Sequence, residues 1–269
     1  MSSARLYLII PLFNESANLP PLFQSLKSIE RDLAASLVVS FIIIDDGSTD
    51  STSSLACQLA TSFQLNLILL KHEHNSGPGR AFATAFEYLS HNLTAQDWVA
   101  TMEGDNTSRA DLLQQMLIRT REGYDVIMAS PYLYGGGIVH TSMLRIFLSH
   151  AGNAFSKIFF GLQGFVTLSS FFRLYKGNVI LHLQSHFGPS IIERSGFECM
   201  IELLIKMVLL GVPISEIPMR LDASNRKGRS KMRLFRTIGG YLSISKDIRR
   251  WRSLPHSPQP NPESMSPVK

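Results

Sequence analysis

Two carboxylates separated by one glycine, Glu103-Gly104-Asp105, follow a short apolar run that reads as a strand. Hard oxygen donors of this kind suit Mg²⁺ or Mn²⁺, which also bridge diphosphate oxygens. Gly104 allows close approach of the backbone. A metal held there would neutralise a leaving diphosphate as the bond to it breaks. A second acidic cluster, Asp45-Asp46-Gly47-Ser48-Thr49-Asp50, follows another apolar run. Its acids can accept hydrogen bonds from a base and from ribose hydroxyls. Asn14-Glu15, after Pro11, and the run from Asn75 through Gly77 and Gly79 to Arg80 make four such strand ends. One strand-end Asp is often no more than a helix cap, and Asp50 or Ser48 could cap the helix that follows. Capping does not account for four such sites on one sheet edge.

The cations fall in the second half. Arg145, Ser149 and Asn153 are four residues apart, so they share one face of an otherwise apolar helix. A narrow polar stripe of this kind can face an anion, and Arg suits phosphate through its planar fork of donors. A surface ion pair is the plainer alternative for Arg145. Arg226, Ser230 and Lys231 lie in a glycine-interrupted basic run that could close over a diphosphate. The plainer alternatives there are a solvated charge run or a nucleic-acid arm. No aromatic stacking pattern or helix-turn-helix accompanies it, so no nucleic acid partner is expected. His72 and His74 flank Glu73 with no further ligand nearby, which argues against a metal pair.

These residues need a scaffold that brings them to one edge. Short apolar runs at residues 5–11, 37–44, 65–70, 98–102 and 125–129 alternate with helical patterns at 17–35, 51–63, 79–89 and 109–122. That order predicts an α/β fold: a mostly parallel central sheet with helices on both faces. In such sheets ligands sit beyond the carboxyl ends of the strands, where the acids lie. Further helices are expected at 142–160, 196–210 and 232–254, with a strand at 213–220. The last helix mixes apolar and basic residues, as a helix on an anionic membrane does. Packing on the domain with solvated cations is the competing reading.

The chain has 269 residues, 45% hydrophobic and 17% charged, with a formal charge of +5. This is globular composition, neither fibrous nor disordered, apart from a Pro- and Ser-rich end. Residues 1–231 are expected to form the catalytic domain, 232–254 a membrane-proximal amphipathic helix and 255–269 a disordered tail. Cys57 and Cys199 are expected to be reduced core thiols, in keeping with a cytoplasmic setting. No signal peptide or clean membrane span is visible; the stretch 154–172 suits lying against an interface better than crossing it.

The motifs together resemble a known family. Ile10-Pro11-Leu12-Phe13-Asn14-Glu15, Asp45-Asp46-Gly47-Ser48-Thr49-Asp50, Ser170-Phe171-Phe172-Arg173-Leu174-Tyr175 and Arg226-Lys227-Gly228-Arg229-Ser230-Lys231 occur in the order found in family-two glycosyltransferases of the GT-A fold. Within them the chain resembles dolichol-phosphate mannose synthases and bacterial polyprenyl-phosphate relatives, from about Leu6 to about Leu234. The resemblance implies that Pro11, Asn14, Glu15, Asp46 and the Asn75–Gly79 loop hold the nucleotide. Asp45, Gly104 and Lys231 adjoin that set. It places Glu103 and Asp105 at the metal-binding Asp-x-Asp positions, with Glu where Asp is usual. Thr107 stands where some members have Gln, and Pro131 where an Arg often stands. Arg145 and Ser149 match the family's Arg-x-x-x-Ser acceptor-phosphate pair, with Ser230 beside them.

Asp105, Arg145 and Arg226 are the expected catalytic groups. The expected reaction moves a hexose, mannose or glucose, from GDP-mannose or UDP-glucose to a polyprenyl phosphate with inversion. A metal ion, Mg²⁺ or Mn²⁺, is expected, with the enzyme peripheral to the cytoplasmic face of a membrane; docking by itself and through a membrane partner subunit are both open. A transferase with a non-lipid acceptor, or a non-catalytic nucleotide-sugar-binding subunit, are the alternatives.

Overall fold

A computed structural model describes residues 4–109, 111–140, 143–225 and 234–254. The first half alternates as expected: β1 (Arg5–Leu12), α1 (Leu19–Leu33), β2 (Val38–Asp45), α2 (Thr52–Phe63), β3 (Leu67–Lys71), α3 (Pro78–Leu89), β4 (Trp98–Thr101), α4 (Leu112–Arg119) and β5 (Val126–Ser130). The second half continues with β6 (Gly137–Val139), α5 (Met143–Phe160), β7 (Arg173–Lys176), α6 (Gly177–Phe187), α7 (Cys199–Leu209), β8 (Ile214–Pro218), β9 (Arg220–Asp222) and α8 (Leu234–Arg252).

Seven strands form one sheet in the order β3-β2-β1-β4-β7-β5-β8, and β6 pairs with β9 in a small separate sheet. All main-sheet pairings are parallel except those of β7, which runs against β4 and β5. Alternate residues of each strand serve opposite faces, as strand geometry requires. Ile9, Ile42, Ile44, Val99 and Met128 face a core closed by α3, α6 and α7. Leu8, Ile10, Phe41, Ile43, Ala100 and Ile127 face a second core under α1, α2 and α4. Burial on both sides explains why these strands read as unbroken apolar runs.

The expected single strand over 213–220 is two, β8 and β9, with Met219 between them; the Met219 amide donates to the Ser130 carbonyl at 2.9 Å. Cys199 is buried, but Cys57 is exposed on α2, because its helical position faces away from the Ala56 and Ala60 side that packs inward. The expectation of two core thiols therefore fails for Cys57.

In the described part of α8 the residues arrange as the competing reading, packing on the domain with solvated cations, expects. Ile244 and Trp251 are buried in the core beside α7, while Lys246, Arg249, Arg250 and Arg252 are exposed. Its described apolar face therefore packs on the domain and presents cations outward. Exposed apolar side chains occur instead on α5, at Met143, Phe155, Ile158 and Phe159. The Phe155 and Phe159 rings stack with centroids 5.5 Å apart. Among the described residues no helix is long and apolar enough to cross a membrane.

Candidate active site

The site is built where β1, β2 and β4 end. β2 and β4 flank β1, so their ends stand roughly 10 Å apart, two inter-strand spacings. That span suits a nucleoside diphosphate lying across the edge.

The loops after β1 and β2 are tied to each other. Asn14 adopts a left-handed φ of 50°. Its amide donates to Ser48 Oγ at 2.9 Å, and its side-chain oxygen accepts from the Thr49 amide at 2.8 Å. The Glu15 amide donates to Thr52 Oγ1 at 2.9 Å, and the Glu15 carboxylate accepts from Asn18 Nδ2. Asp50 accepts from the amides of Ser16 and Thr52. Burial would raise its pKa, but the hydrogen bonds from Thr52 and Ser16 outweigh that and hold it below the ordinary value.

Asp45 and Asp46 are both buried, yet they serve different ends. Asp45 stays within its own turn: Oδ1 accepts from the Ser48 amide at 2.9 Å, and Oδ2 accepts from Ser53 Oγ. Asp46 reaches across to the glycine loop before α3. Its Oδ1 accepts from the Ser76 amide at 2.9 Å and its Oδ2 from the Gly77 amide at 2.8 Å. His72 Nδ1 lies 2.7 Å from the same Oδ1, and His72 Nε2 lies 3.0 Å from Thr84 Oγ1. His72 thus orients a carboxylate. Among the described residues no group of three His, Cys, Asp or Glu could hold a metal.

The glycines of this edge are steric necessities. Gly77 has φ +93°, and a Cβ there would collide with the Ser195 carbonyl. A Cβ at Gly79 would collide with the Arg194 carbonyl, and the Gly79 amide donates to Ser195 O at 2.9 Å. Asn75 is exposed between these contacts and the Gly47 turn. Gly104 packs against Leu12 and Pro11 at the end of β1.

The acid pair after β4 is held by hydroxyls. Thr107 Oγ1 donates to Asp105 Oδ1 at 2.6 Å, joined by the Thr107 amide at 3.1 Å. Ser108 Oγ donates to Glu103 Oε2 at 2.7 Å. Asp105 is 9% exposed and Glu103 half-buried. Asn106, at φ 61°, bonds the Asn18 carbonyl at 2.9 Å and ties this turn to the start of α1. Two oriented carboxylates fit Mg²⁺ or Mn²⁺ whose remaining ligands come from a diphosphate and water. Thr107 and Ser108 orient the two acids, which the acid motif alone does not reveal. Their signal is a hydroxyl two and five residues beyond the acids, close enough to bond back.

On the cationic side, Arg145 and Ser149 lie on α5, but their side chains are outside the described residues, as are Arg226, Ser230 and Lys231. The expected 255–269 tail is also outside them. Asn153, the third residue of the expected stripe, is engaged within the fold. Its Nδ2 donates to the Val166 carbonyl at 2.6 Å, and its Oδ1 accepts from the Leu168 amide at 3.3 Å. It fastens α5 to the segment before β7. Glu216 of β8 grips the same segment, accepting from the Val166 and Thr167 amides at 2.6 and 2.7 Å. Burial raises the Glu216 pKa, against those two hydrogen bonds and the nearby cations Lys157 and Arg173. Arg173, fully buried, donates to the Ser170 and Leu168 carbonyls at 2.9 and 2.7 Å.

The Glycosyl transferase family 2 model matches residues 7–183, about two thirds of the chain. The polyprenol monophosphomannose synthase of Mycolicibacterium smegmatis is 25% identical over 229 residues, 85% of this chain and 81% of that protein. The undecaprenyl-phosphate mannosyltransferase of Micrococcus luteus is 25% identical over 230 residues, covering 85% and 87%. Among solved structures, glucosyl-3-phosphoglycerate synthase from Mycobacterium tuberculosis, with Mn²⁺, UDP and phosphoglyceric acid, superposes with a TM-score of 0.59 at 18% identity, covering 94% of this chain and 80% of that one. A mannosyltransferase from Pyrobaculum calidifontis with GDP-Man and Mn²⁺ gives 0.57 at 14% identity, over 93% and 65%. The sheet edge with its acid pair, the matched motifs and these likenesses agree: the chain belongs to glycosyl transferase family 2.

Proposed function

We propose that this glycosyltransferase moves a hexose, mannose or glucose, from GDP-mannose or UDP-glucose to a polyprenyl phosphate at a membrane surface. The observation that carries the reading is a pairing. An oriented acid pair sits at the sheet edge, and α5, which bears the candidate acceptor residues, exposes Phe155, Ile158 and Phe159. Apolar side chains on such a helix favour a lipid phase by about 1–3 kcal/mol each when buried. The two bacterial relatives named for polyprenol and undecaprenyl phosphate support the acceptor class.

The acceptor is a phosphate monoester whose second pKa is about 6, so it is largely ionised near neutral pH and needs little proton removal. Its oxygen bonds the anomeric carbon as the bond from that carbon to the nucleoside diphosphate breaks, with inversion. Arg145 and Ser149 would bind the acceptor phosphate, and Arg226, Ser230 and Lys231 would meet the donor diphosphate. Asp46 keeps the glycine loop in place beside the nucleotide. Glu103 and Asp105, set by Ser108 and Thr107, would hold Mg²⁺ or Mn²⁺. That ion supplies charge neutralisation at the leaving diphosphate. The work of the residues is to align two anions and balance both charges.

The test is transfer from labelled GDP-mannose and UDP-glucose to polyprenyl phosphate, with the lipid product identified by mass. A glycosylated polyprenyl phosphate is expected. Transfer only to soluble acceptors, in assays containing both, would sink the lipid reading.

A further inference from the structure

The glycine loop is held from two sides, and the second hold leads to the far end of the chain. On one side Asp46 accepts from the Ser76 and Gly77 amides. On the other, the backbone at Arg194 and Ser195 fills the space that side chains at Gly79 and Gly77 would need. Residues 193–195 carry little regular structure of their own. Their position is set by two buried groups of α7. Glu202, with no exposure, accepts from the Glu193 and Arg194 amides, each at 2.9 Å. Lys206, also unexposed, donates to Glu202 Oε1 at 2.7 Å, to the Ile191 carbonyl at 3.0 Å and to Glu193 Oε1 at 3.2 Å.

α8 completes the hold. The Arg194 guanidinium pairs with Asp247 and reaches the Ser243 carbonyl at 3.4 Å. Glu193 accepts from Trp251 Nε1 at 3.0 Å and from Arg250. The Trp251 ring is buried, with Lys206 Nζ 4.7 Å from its centroid. A buried ion pair left incomplete is strongly unfavourable, so these groups hold together as a unit. Contacts therefore run without a break from α8 through Glu193 and Arg194 to Gly77 and Gly79.

We propose that Asp247 and Trp251 of α8 are positioning residues for the glycine loop, acting through Arg194 and Glu193. α8 thus sets the donor side of the cleft from outside it. The consequence for transfer rests on the nucleotide-sugar reading above; the mechanical link does not.

Hydrogen exchange in the 269-residue chain without ligand tests the link directly. Asp247→Asn and Trp251→Phe are compared with wild type; Trp251→Phe keeps one aromatic ring in the buried site and removes the Nε1 donor together with the second ring. Exchange at Ser76, Gly77 and Gly79 is expected to quicken about tenfold, on the order of one hydrogen bond's contribution, while β1 and β2 stay protected. Unchanged exchange across 76–79 in the folded variants overturns the proposal. If Asp247→Asn fails to fold, Trp251→Phe alone decides it in the same way. Titration with GDP and UDP then carries the link to function. A several-fold weaker Kd in Trp251→Phe, at an unaltered acceptor KM, is expected. An unaltered Kd with quickened exchange would overturn the claim that α8 sets the donor side. If wild type binds neither nucleotide, the nucleotide-sugar reading falls while the exchange result still judges the link.

Discussion

At the end of β2 the carboxylate of Asp46 faces two amides of a distant loop; after β4 the carboxylates of Glu103 and Asp105 face hydroxyls of their own turn, with the Thr107 amide beside Asp105. The first arrangement recurs. Glu202 takes the amides of Glu193 and Arg194, and Glu216 takes those of Val166 and Thr167. In each case one acid, buried at Asp46 and Glu202 and half-buried at Glu216, chelates two successive N–H groups of a segment that lacks a sheet partner at those positions. Such an acid replaces strand pairing and satisfies donors that burial would otherwise leave unmatched. The pair after β4 is different: its partners fix orientation without closing a loop. Acids of one type at one sheet edge therefore divide into those that shape the cleft and those suited to chemistry within it.

Mutation should separate the two classes. The largest effect is expected from Asp105→Asn, which should lower kcat by on the order of 10³-fold while leaving the thermal midpoint within a few degrees of wild type. A purified variant retaining wild-type turnover would remove Asp105 from the chemistry. Asp46→Asn should act in the opposite proportion. It presents an NH₂ to the Ser76 or Gly77 amide, costing about 1–3 kcal/mol in urea unfolding and weakening nucleotide binding. If unfolding is unaltered, Asp46 does not hold the loop. Arg145→Ala should raise the KM for polyprenyl phosphate about tenfold, with the donor Kd unmoved, as expected for loss of a charge-assisted phosphate contact. Steady-state kinetics with varied lipid checks this.

The smallest effect concerns acid. Burial alone would raise the Glu193 pKa, but Lys206, Arg250 and Trp251 outweigh it and hold the group below its ordinary value of 4.5. A lowered acid pKa contributes stability that is present above the unfolded value and lost as pH falls through the folded one. Glu193→Gln should therefore flatten the decline of the thermal midpoint from about pH 5 downward. An unchanged slope would show that Glu193 does not report on this contact.

Much of this was legible in the sequence, for identifiable reasons. Strands buried on both faces leave unbroken apolar runs, so β1, β2, β4 and β5 could be placed within a residue or two. β7 was missed as a strand because Arg173-Leu174-Tyr175-Lys176 is short and polar at both ends; its buried guanidinium finds carbonyls only in the fold. α6 follows it with no cap signal of its own. The edge acids were found, but not their division, since the amides that Asp46 binds lie 30 and 31 residues away. On α8, the basic residues were visible, but which face its apolar residues choose depends on α7.

The reversed strand β7 carries an implication for how the surface could change. β5 and β7 are antiparallel neighbours, with Met128 opposite Arg173, so the chain leaves the sheet after Ser130 and returns at the same edge. The excursion, α5 included, is also fastened where β6 pairs with β9 and where Glu216 holds the Val166 and Thr167 amides. A connection between antiparallel neighbours can lengthen at a closure cost that grows only slowly with its length. New surface could therefore be grafted between those ties while the neighbouring strands keep their places.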